Sequence, residues 1–221
     1  MNLPSVRASL ITLLLLGGCS SQQNDWGTYL QLLRHSLSGN FGKSSISRGQ
    51  AAAIPYASLG YRINGSSEAI LVLATDSNGG QLWTASSHIV LITHGGRIIR
   101  SIGLPHDIAG IKATGTQDLR PLSDALHGPF RSNRIADLPD MGAYDISLSC
   151  VTRSVGAQNI TIIGVTIPTM RVDETCQSTK PRWSFTDNYW IDADTGFVWH
   201  SVQHIHPAGT TIQLEIFRPP G

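Results

Sequence analysis

The chain has 221 residues, 16 Lys and Arg against 15 Asp and Glu, and a formal net charge of +1. That balance gives no footing for a nucleic-acid footprint or a polybasic membrane patch, both of which need clustered Lys and Arg. The length beyond the N-terminal leader suits one domain of the larger all-β kind, with a sizeable core.

Residues 1–18 carry one basic residue, Arg7, then an apolar stretch over 8–16, and run into Leu16-Gly17-Gly18-Cys19. This is the layout of an export signal with a small-residue cleavage site, and it falls short of the ~20 apolar residues of a membrane-spanning helix. A cysteine directly after two glycines fits the bacterial lipobox. The small residues fit the signal peptidase groove, and the Cys19 thiol is the nucleophile that takes a diacylglyceryl group. At ~0.8 kcal/mol per buried methylene, two or more acyl chains on Cys19 anchor the protein stably. The alternative is an ordinary secreted protein with a chance cysteine. Ser20 stands where an aspartate would retain a lipoprotein at the inner membrane, so outer-membrane sorting is expected, with the domain facing the periplasm. The expected organisation is 1–18 signal peptide, 19–24 lipidated tether and 25–221 a single β-rich domain.

Behind Asn24 or Asp25 as a cap, Trp26, Leu30, Leu33 and Leu37 fall at helical spacing, with Gly39 as a stop. Residues 38–50, rich in Gly and Ser, read as an irregular connection. From Tyr56 the period becomes two: Ala57, Leu59, Tyr61 and Ile63 alternate with small or polar residues, and Asn64-Gly65-Ser66 makes a turn before a strand over 69–73. Strands are predicted at 81–85, 88–93 and 97–102, the last two joined by a Gly95-Gly96 hairpin. Leu119, Leu122 and Leu126 predict a short internal helix. Further strands are predicted at 144–152, 159–167, 182–191, 197–206 and 210–217. The fold class expected is mainly β: a large curved antiparallel sheet or partial β-barrel with one N-terminal and one internal short helix.

With Cys19 assigned to lipid, Cys150 and Cys176 form an even pair in an exported protein and read as a disulfide, two buried free thiols being the alternative. Chemistry is sparse. No G-x-S-x-G elbow is present. His200, His204 and His206 would share one face of an extended strand, but His200 and His204 would lie ~13 Å apart, so one metal could not take all three. Asp192-Ala193-Asp194-Thr195-Gly196 resembles a calcium loop only at its start and reads as a hairpin. Among Asp145, Asp173, Glu174 and Asp187, no spacing singles out a carboxylate pair for glycoside hydrolysis. Trp183, Trp190 and Trp199 alternate with polar residues as core positions do; exposed, they would offer a glycan or a partner a stacking face. The residues therefore point to no catalytic, cofactor-binding or metal site.

Ile54-Pro55-Tyr56-Ala57-Ser58-Leu59, the Leu-rich 69–74, Leu82-Trp83-Thr84 and the strand Thr93-His94-Gly95-Gly96-Arg97-Ile98-Ile99-Arg100-Ser101-Ile102-Gly103-Leu104 resemble the YjbF family of outer-membrane lipoproteins. So do Asn188-Tyr189-Trp190-Ile191-Asp192 and Thr195-Gly196-Phe197-Val198-Trp199-His200-Ser201. With the lipobox, the match spans nearly the whole mature chain. The resemblance implies a barrel-like β domain without established catalytic residues, serving exopolysaccharide or group 4 capsule production beside other export envelope proteins and the polysaccharide. A lipid- or lipoprotein-binding chaperone with an apolar half-barrel groove is the second expectation, and a glycan-modifying enzyme the third.

The lipobox reading is tested by Cys19→Ser, which should leave unprocessed or soluble precursor on fractionation and immunoblotting. A processed, membrane-bound variant would sink it.

Overall fold

The computed structural model describes residues 45–77, 79–114 and 119–221; the signal peptide, Cys19, the tether and the helix expected at Trp26 to Leu37 lie outside them. The described chain opens on α1 (Arg48–Ala52), where an irregular connection was expected up to Gln50. A reciprocal capping box explains the difference: the Ser47 hydroxyl accepts from the Gln50 backbone N–H, and the Gln50 side chain accepts from the Ser47 N–H.

Fourteen strands follow among the described residues. The first half holds β1 (Ser58–Ile63), β2 (Ala69–Ser77), β3 (Gly80–Thr84), β4 (Val90–His94), β5 (Arg97–Ile102) and β6 (Gly110–Ala113). A 3-10 helix (Leu122–Leu126) then leads to β7 (Phe130–Leu138), and a second (Pro139–Met141) to β8 (Ala143–Ala157). The rest comprises β9 (Ile160–Ile162), β10 (Val165–Ile167), β11 (Met170–Thr179), β12 (Arg182–Ile191), β13 (Val198–His206) and β14 (Thr210–Arg218). Twelve strands form one antiparallel sheet in the order β5-β4-β3-β2-β1-β14-β13-β12-β11-β8-β7-β6, while β9 and β10 pair separately.

The sheet curls until its two edges meet, giving a nearly closed barrel, as the sequence led us to expect. Asp107 makes the junction between β5 and β6. Its carboxylate accepts from Ser101 Oγ, the Leu104 N–H and the Gly103 N–H, and Ser101 N–H donates to the Ile108 carbonyl at 2.9 Å. Register shifts in β2–β3, β4–β5, β11–β8, β12–β13 and β13–β14 supply the bends that closure needs.

Several further segments differ from expectation, the short edge strand β6 among them, which no pattern announced. Residues 159–167 make a two-stranded hairpin, turned at Ile163 (φ +43°) and Gly164 (φ +80°), where one strand was predicted. Strand β7 occupies residues that offered no recognisable pattern, and β11 was not predicted at all. Both place a charged residue among their inward positions: Arg134 between Phe130 and Ala136 on β7, Glu174 between Val172 and Cys176 on β11.

The interior is packed. Leu59, Leu71, Trp83, Leu91, Ile98 and Ile212 belong to the larger apolar cluster; Leu122, Phe130, Val172, Tyr189 and Ile191 form a smaller one beneath the first 3-10 helix. Cys150 and Cys176 face each other across β8 and β11 and are joined as the predicted disulfide. Glu174 is fully buried: the Arg97 guanidinium donates to both its oxygens at 3.2 and 2.9 Å, Arg134 contacts Oε1, and Thr152 Oγ1 donates to Oε1 at 2.9 Å. Burial alone would raise this carboxyl, but the two guanidinium charges and their hydrogen bonds overcome it and hold it at about 2, against an ordinary 4.5. Across the β11–β12 pair lies Asp187, also buried, which accepts from the His204 backbone N–H at 2.7 Å and faces His204 Nδ1 at 3.1 Å. Burial pushes Asp187 up, and the His204 bonds partly offset this.

Because the folded Glu174 carboxyl titrates below the unfolded one, its contribution is complete above about pH 4.5 and is lost as the pH falls toward about 2. The difference corresponds to about 3 kcal/mol. Urea unfolding at pH 7 and pH 3 should show about 2 kcal/mol of that loss, the rest following as the pH falls through about 2. Glu174→Gln should cost roughly 3–5 kcal/mol at pH 7, because two buried cations lose their counter-charge, and should flatten the acid-dependent part. Equal acid sensitivity in both proteins would refute the assignment. Replacing Cys150 and Cys176 together by Ala opens a 26-residue loop and should lower unfolding free energy by roughly 3 kcal/mol in the same assay.

Candidate functional site

Three turns converge at one end of the barrel: β2–β3 around Gly79, β4–β5 at Gly95 and Gly96, and β12–β13 through Gly196 and Phe197. Between them lies a cavity of about 330 Å³, at the small end of the ~300–1,000 Å³ usual for ligand pockets. Its floor is apolar, made by Leu59, Trp83, Leu214 and Ile216.

The β4–β5 turn is set by glycine chemistry. Gly95 (φ +54°) and Gly96 (φ +80°) adopt the left-handed pair that a two-residue hairpin requires. A Cβ on Gly96 would lie 2.3 Å from the Val198 side chain, so only glycine lets the hairpin seat against β13. Gln203 fastens it there. Its amide donates to the Gly96 carbonyl at 2.9 Å and its carbonyl accepts from the Ile98 N–H at 2.8 Å, a backbone-like bridge between strands that are not sheet neighbours.

One wall is aromatic. The β12–β13 register runs from Trp190↔His200 directly to Ile191↔Val198, leaving Trp199 as the extra residue of a bulge. Trp199 lines the cavity and packs edge-to-face on Phe197, ring centroids 4.9 Å apart. The opposite wall is polar and ordered. Trp83 Nε1 donates to Thr93 Oγ1 at 3.0 Å, Thr93 Oγ1 to Gln81 Oε1 at 3.4 Å, and Gln81 Nε2 to Asp76 Oδ2 at 3.1 Å. The chain of bonds runs from the core to an exposed carboxylate at the rim. His94 and His200 complete the lining; burial lowers His200 to about 4, so its ring is neutral near neutral pH. The cavity lining contains no Lys or Arg.

Of the three tryptophans singled out from the sequence, the structure brings only Trp199 to this cavity. Trp183 is 7% exposed and packs in the core against Phe185 at 4.3 Å, because the two-residue period of β12 turns 183, 185, 187, 189 and 191 inward. As a contact for glycan or partner it is therefore corrected to a core residue. Trp190 falls on the outer face, its ring 4.5 Å from His200 and 5.6 Å from the Arg171 guanidinium carbon. None of Asp145, Asp173, Glu174 and Asp187 lines the cavity; Glu174 and Asp187 are held inside the barrel, and Asp173 pairs with Arg171 and Asn188. The run from Asp192 to Gly196 closes the β12–β13 turn, Asp192 Oδ1 accepting from the Thr195 N–H and hydroxyl, each at 2.8 Å. The sequence reading missed Asp76, Gln81, Thr93 and Phe197 as a group; the available signal was that they flank successive turns ending on one side of an antiparallel meander.

The three histidines of β13 do not share a face. The shift between His204 and His206 sends His206 inward at the barrel's other end, where it meets His106 and Asp140. Ligand atoms of these three lie within 4.8 Å of one another, the one trio among the described residues with metal-ligand spacing. The His206 tautomer argues against such a use. Its Nδ1 accepts from the Ala208 N–H at 3.0 Å, so the neutral ring carries its proton on Nε2, the atom that faces Asp140 at 3.2 Å. His106 Nδ1 lies 2.8 Å from the other Asp140 oxygen, and the two imidazoles stack at 4.5 Å. The trio is a clasp joining the β5–β6 loop, the second 3-10 helix and β13.

Comparison with known proteins extends over most of the chain. Residues 33–217 match the family described as group 4 capsule polysaccharide lipoprotein gfcB, YjbF. The uncharacterized lipoprotein GfcB of Escherichia coli (strain K12) is 24% identical over 211 residues, which cover 96% of each chain. The uncharacterized lipoprotein YjbF of the same organism is 22% identical over 209 residues, covering 93% of this chain and 95% of that one. The fold matches the crystal structure of the hypothetical lipoprotein YmcC from Escherichia coli (K12), with a TM-score of 0.67 at 21% identity, covering 91% of this chain and 100% of the other. The match over residues 33–217 agrees with the strand motifs and the nearly closed barrel, and the chain belongs to the YjbF family of group 4 capsule polysaccharide lipoproteins.

Proposed function

We propose that the protein is an outer-membrane lipoprotein, anchored through Cys19, whose periplasmic barrel is a non-catalytic accessory of capsule or exopolysaccharide export and holds part of the glycan in its end cavity. The cavity carries the proposal: it pairs an aromatic wall, Phe197 and Trp199, with an oriented row of hydrogen-bonding groups ending at Asp76, the combination that suits a ligand apolar on its ring faces and hydroxylated at its edges. Three of the four candidate carboxylates are committed elsewhere, Asp173 to Arg171 and Asn188, Glu174 to two arginines and Asp187 to His204. Other export proteins of the envelope are the expected partners.

The lipid-chaperone reading draws less support from the geometry. An acyl chain needs a long apolar groove, whereas here the sheet edges meet and the interior is filled by side chains such as Trp83, Tyr189 and Leu59.

A chromosomal deletion, complemented by wild type or by a Phe197→Ala, Trp199→Ala double variant, tests the proposal through surface polysaccharide measured under inducing conditions. The deletion should lose most exported polymer. Wild type should restore it, and the double variant, at equal protein level, should restore well under half. Unchanged polymer in the deletion strain would defeat the proposal.

A further inference from the structure

The cavity's charge pattern goes further than its shape. Its one carboxylate, Asp76, stands at the rim, and no Lys or Arg lines the space. Asp76 Oδ2 is engaged by the Gln81 amide, whose own carbonyl is fixed by Thr93 Oγ1, itself held by the indole N–H of Trp83. That chain of bonds holds the Asp76 carboxylate as an oriented acceptor at the mouth.

An oriented acceptor without a neighbouring Lys or Arg favours ligands that present hydroxyl protons. It works against ligands carrying a carboxylate, sulfate or phosphate, because two like charges brought together at the mouth repel. The volume fits one or two rings rather than a length of polymer.

We infer that the end cavity is a selective subsite for an uncharged sugar unit, whose ring stacks on the Phe197–Trp199 wall while adjacent hydroxyls donate to Asp76. The inference rests on the glycan reading above and names the chemical class of sugar that this same site takes. Phe197 and Trp199 supply affinity in it, and Asp76 supplies the discrimination.

The test uses full-length protein extracted from membranes into a detergent without a sugar headgroup, since such a headgroup would itself be a ligand. Binding of a neutral N-acetylhexosamine tetrasaccharide and of a uronic-acid tetrasaccharide is measured by calorimetry and tryptophan fluorescence. Wild type should bind the neutral sugar at least about tenfold more tightly, equivalent to ~1.4 kcal/mol. Asp76→Asn, which removes the charge, should weaken neutral binding several-fold by replacing charge-assisted hydrogen bonds with neutral ones, and should admit the uronic acid, so that the ratio narrows to about threefold or less. Phe197→Ala should weaken the neutral sugar by about tenfold or more. Raising salt should narrow the wild-type ratio through screening. Equal or tighter binding of the uronic acid by wild type, a ratio that survives Asp76→Asn, or no binding of either sugar would each overturn the inference. The complementation experiment stands apart from these outcomes, because a glycan role exerted elsewhere on the barrel would still lose polymer on deletion.

Discussion

Glu174 is held between Arg97 and Arg134, and that contact joins strands which the sheet order keeps far apart. Arg97 lies on β5 at one edge, Arg134 on β7 beside the other edge, and Glu174 on β11 between them in the sheet. Apolar burial would hold a curled sheet closed in several offsets, because it has no direction. A bidentate Arg–carboxylate pair with a second guanidinium on the same oxygen fixes one offset, because any slip leaves a buried charge without its partner. The cavity inherits that precision: Arg97 directly follows Gly96, so the residue that locks the interior also fixes the turn that forms the cavity's edge.

Two residues of the same ion triad stand in strands that the sequence did not announce, while the third, Arg97, lies in β5, which the Gly95-Gly96 turn marked. Where inward positions are apolar, as in β1 and β14, the two-residue period is plain and the predicted spans fall close to the observed ones. Strands β7 and β11 place Arg134 and Glu174 inward, and Ser132 and Ser178 share their inward faces, so the apolar alternation of each is interrupted by polar residues. A charge buried because its partner comes from a strand 40 or more residues away leaves no mark in a local window, and here the partner of Glu174 on β5 is 77 positions distant. The hairpin at 160–167 was hidden for a different reason: Ile163, a β-branched residue, occupies a positive-φ position where Gly or Asn would have announced a turn.

The candidate site was legible in its parts and not in its assembly. The Gly95-Gly96 turn, the Asp192 to Gly196 turn and Trp199 were all visible, as was the cysteine pair now seen as a disulfide. What a strict alternation could not convey is the bulge at Trp199, which separates this tryptophan from Trp183 and Trp190 although all three lie in neighbouring strands. A second bulge did the same for His206, taking it from the line of His200 and His204 to the clasp with His106 and Asp140. A bulge inserts one residue without changing composition, so its effect on the aim of a side chain becomes visible only when the partner strand is known.

The filled interior has a consequence for transport. Trp83, Tyr189, Leu59 and the Arg97–Glu174–Arg134 group occupy the axis along which a polymer would have to pass, and the clasp of His106, Asp140 and His206 stands at the end away from the cavity. Over the described residues the barrel is therefore a dead-ended cup and not a conduit: what goes in at the hairpin end must come out the same way. Among the described residues the interior offers no through-passage, so a long polymer can meet this barrel only from outside or at the mouth of its cavity.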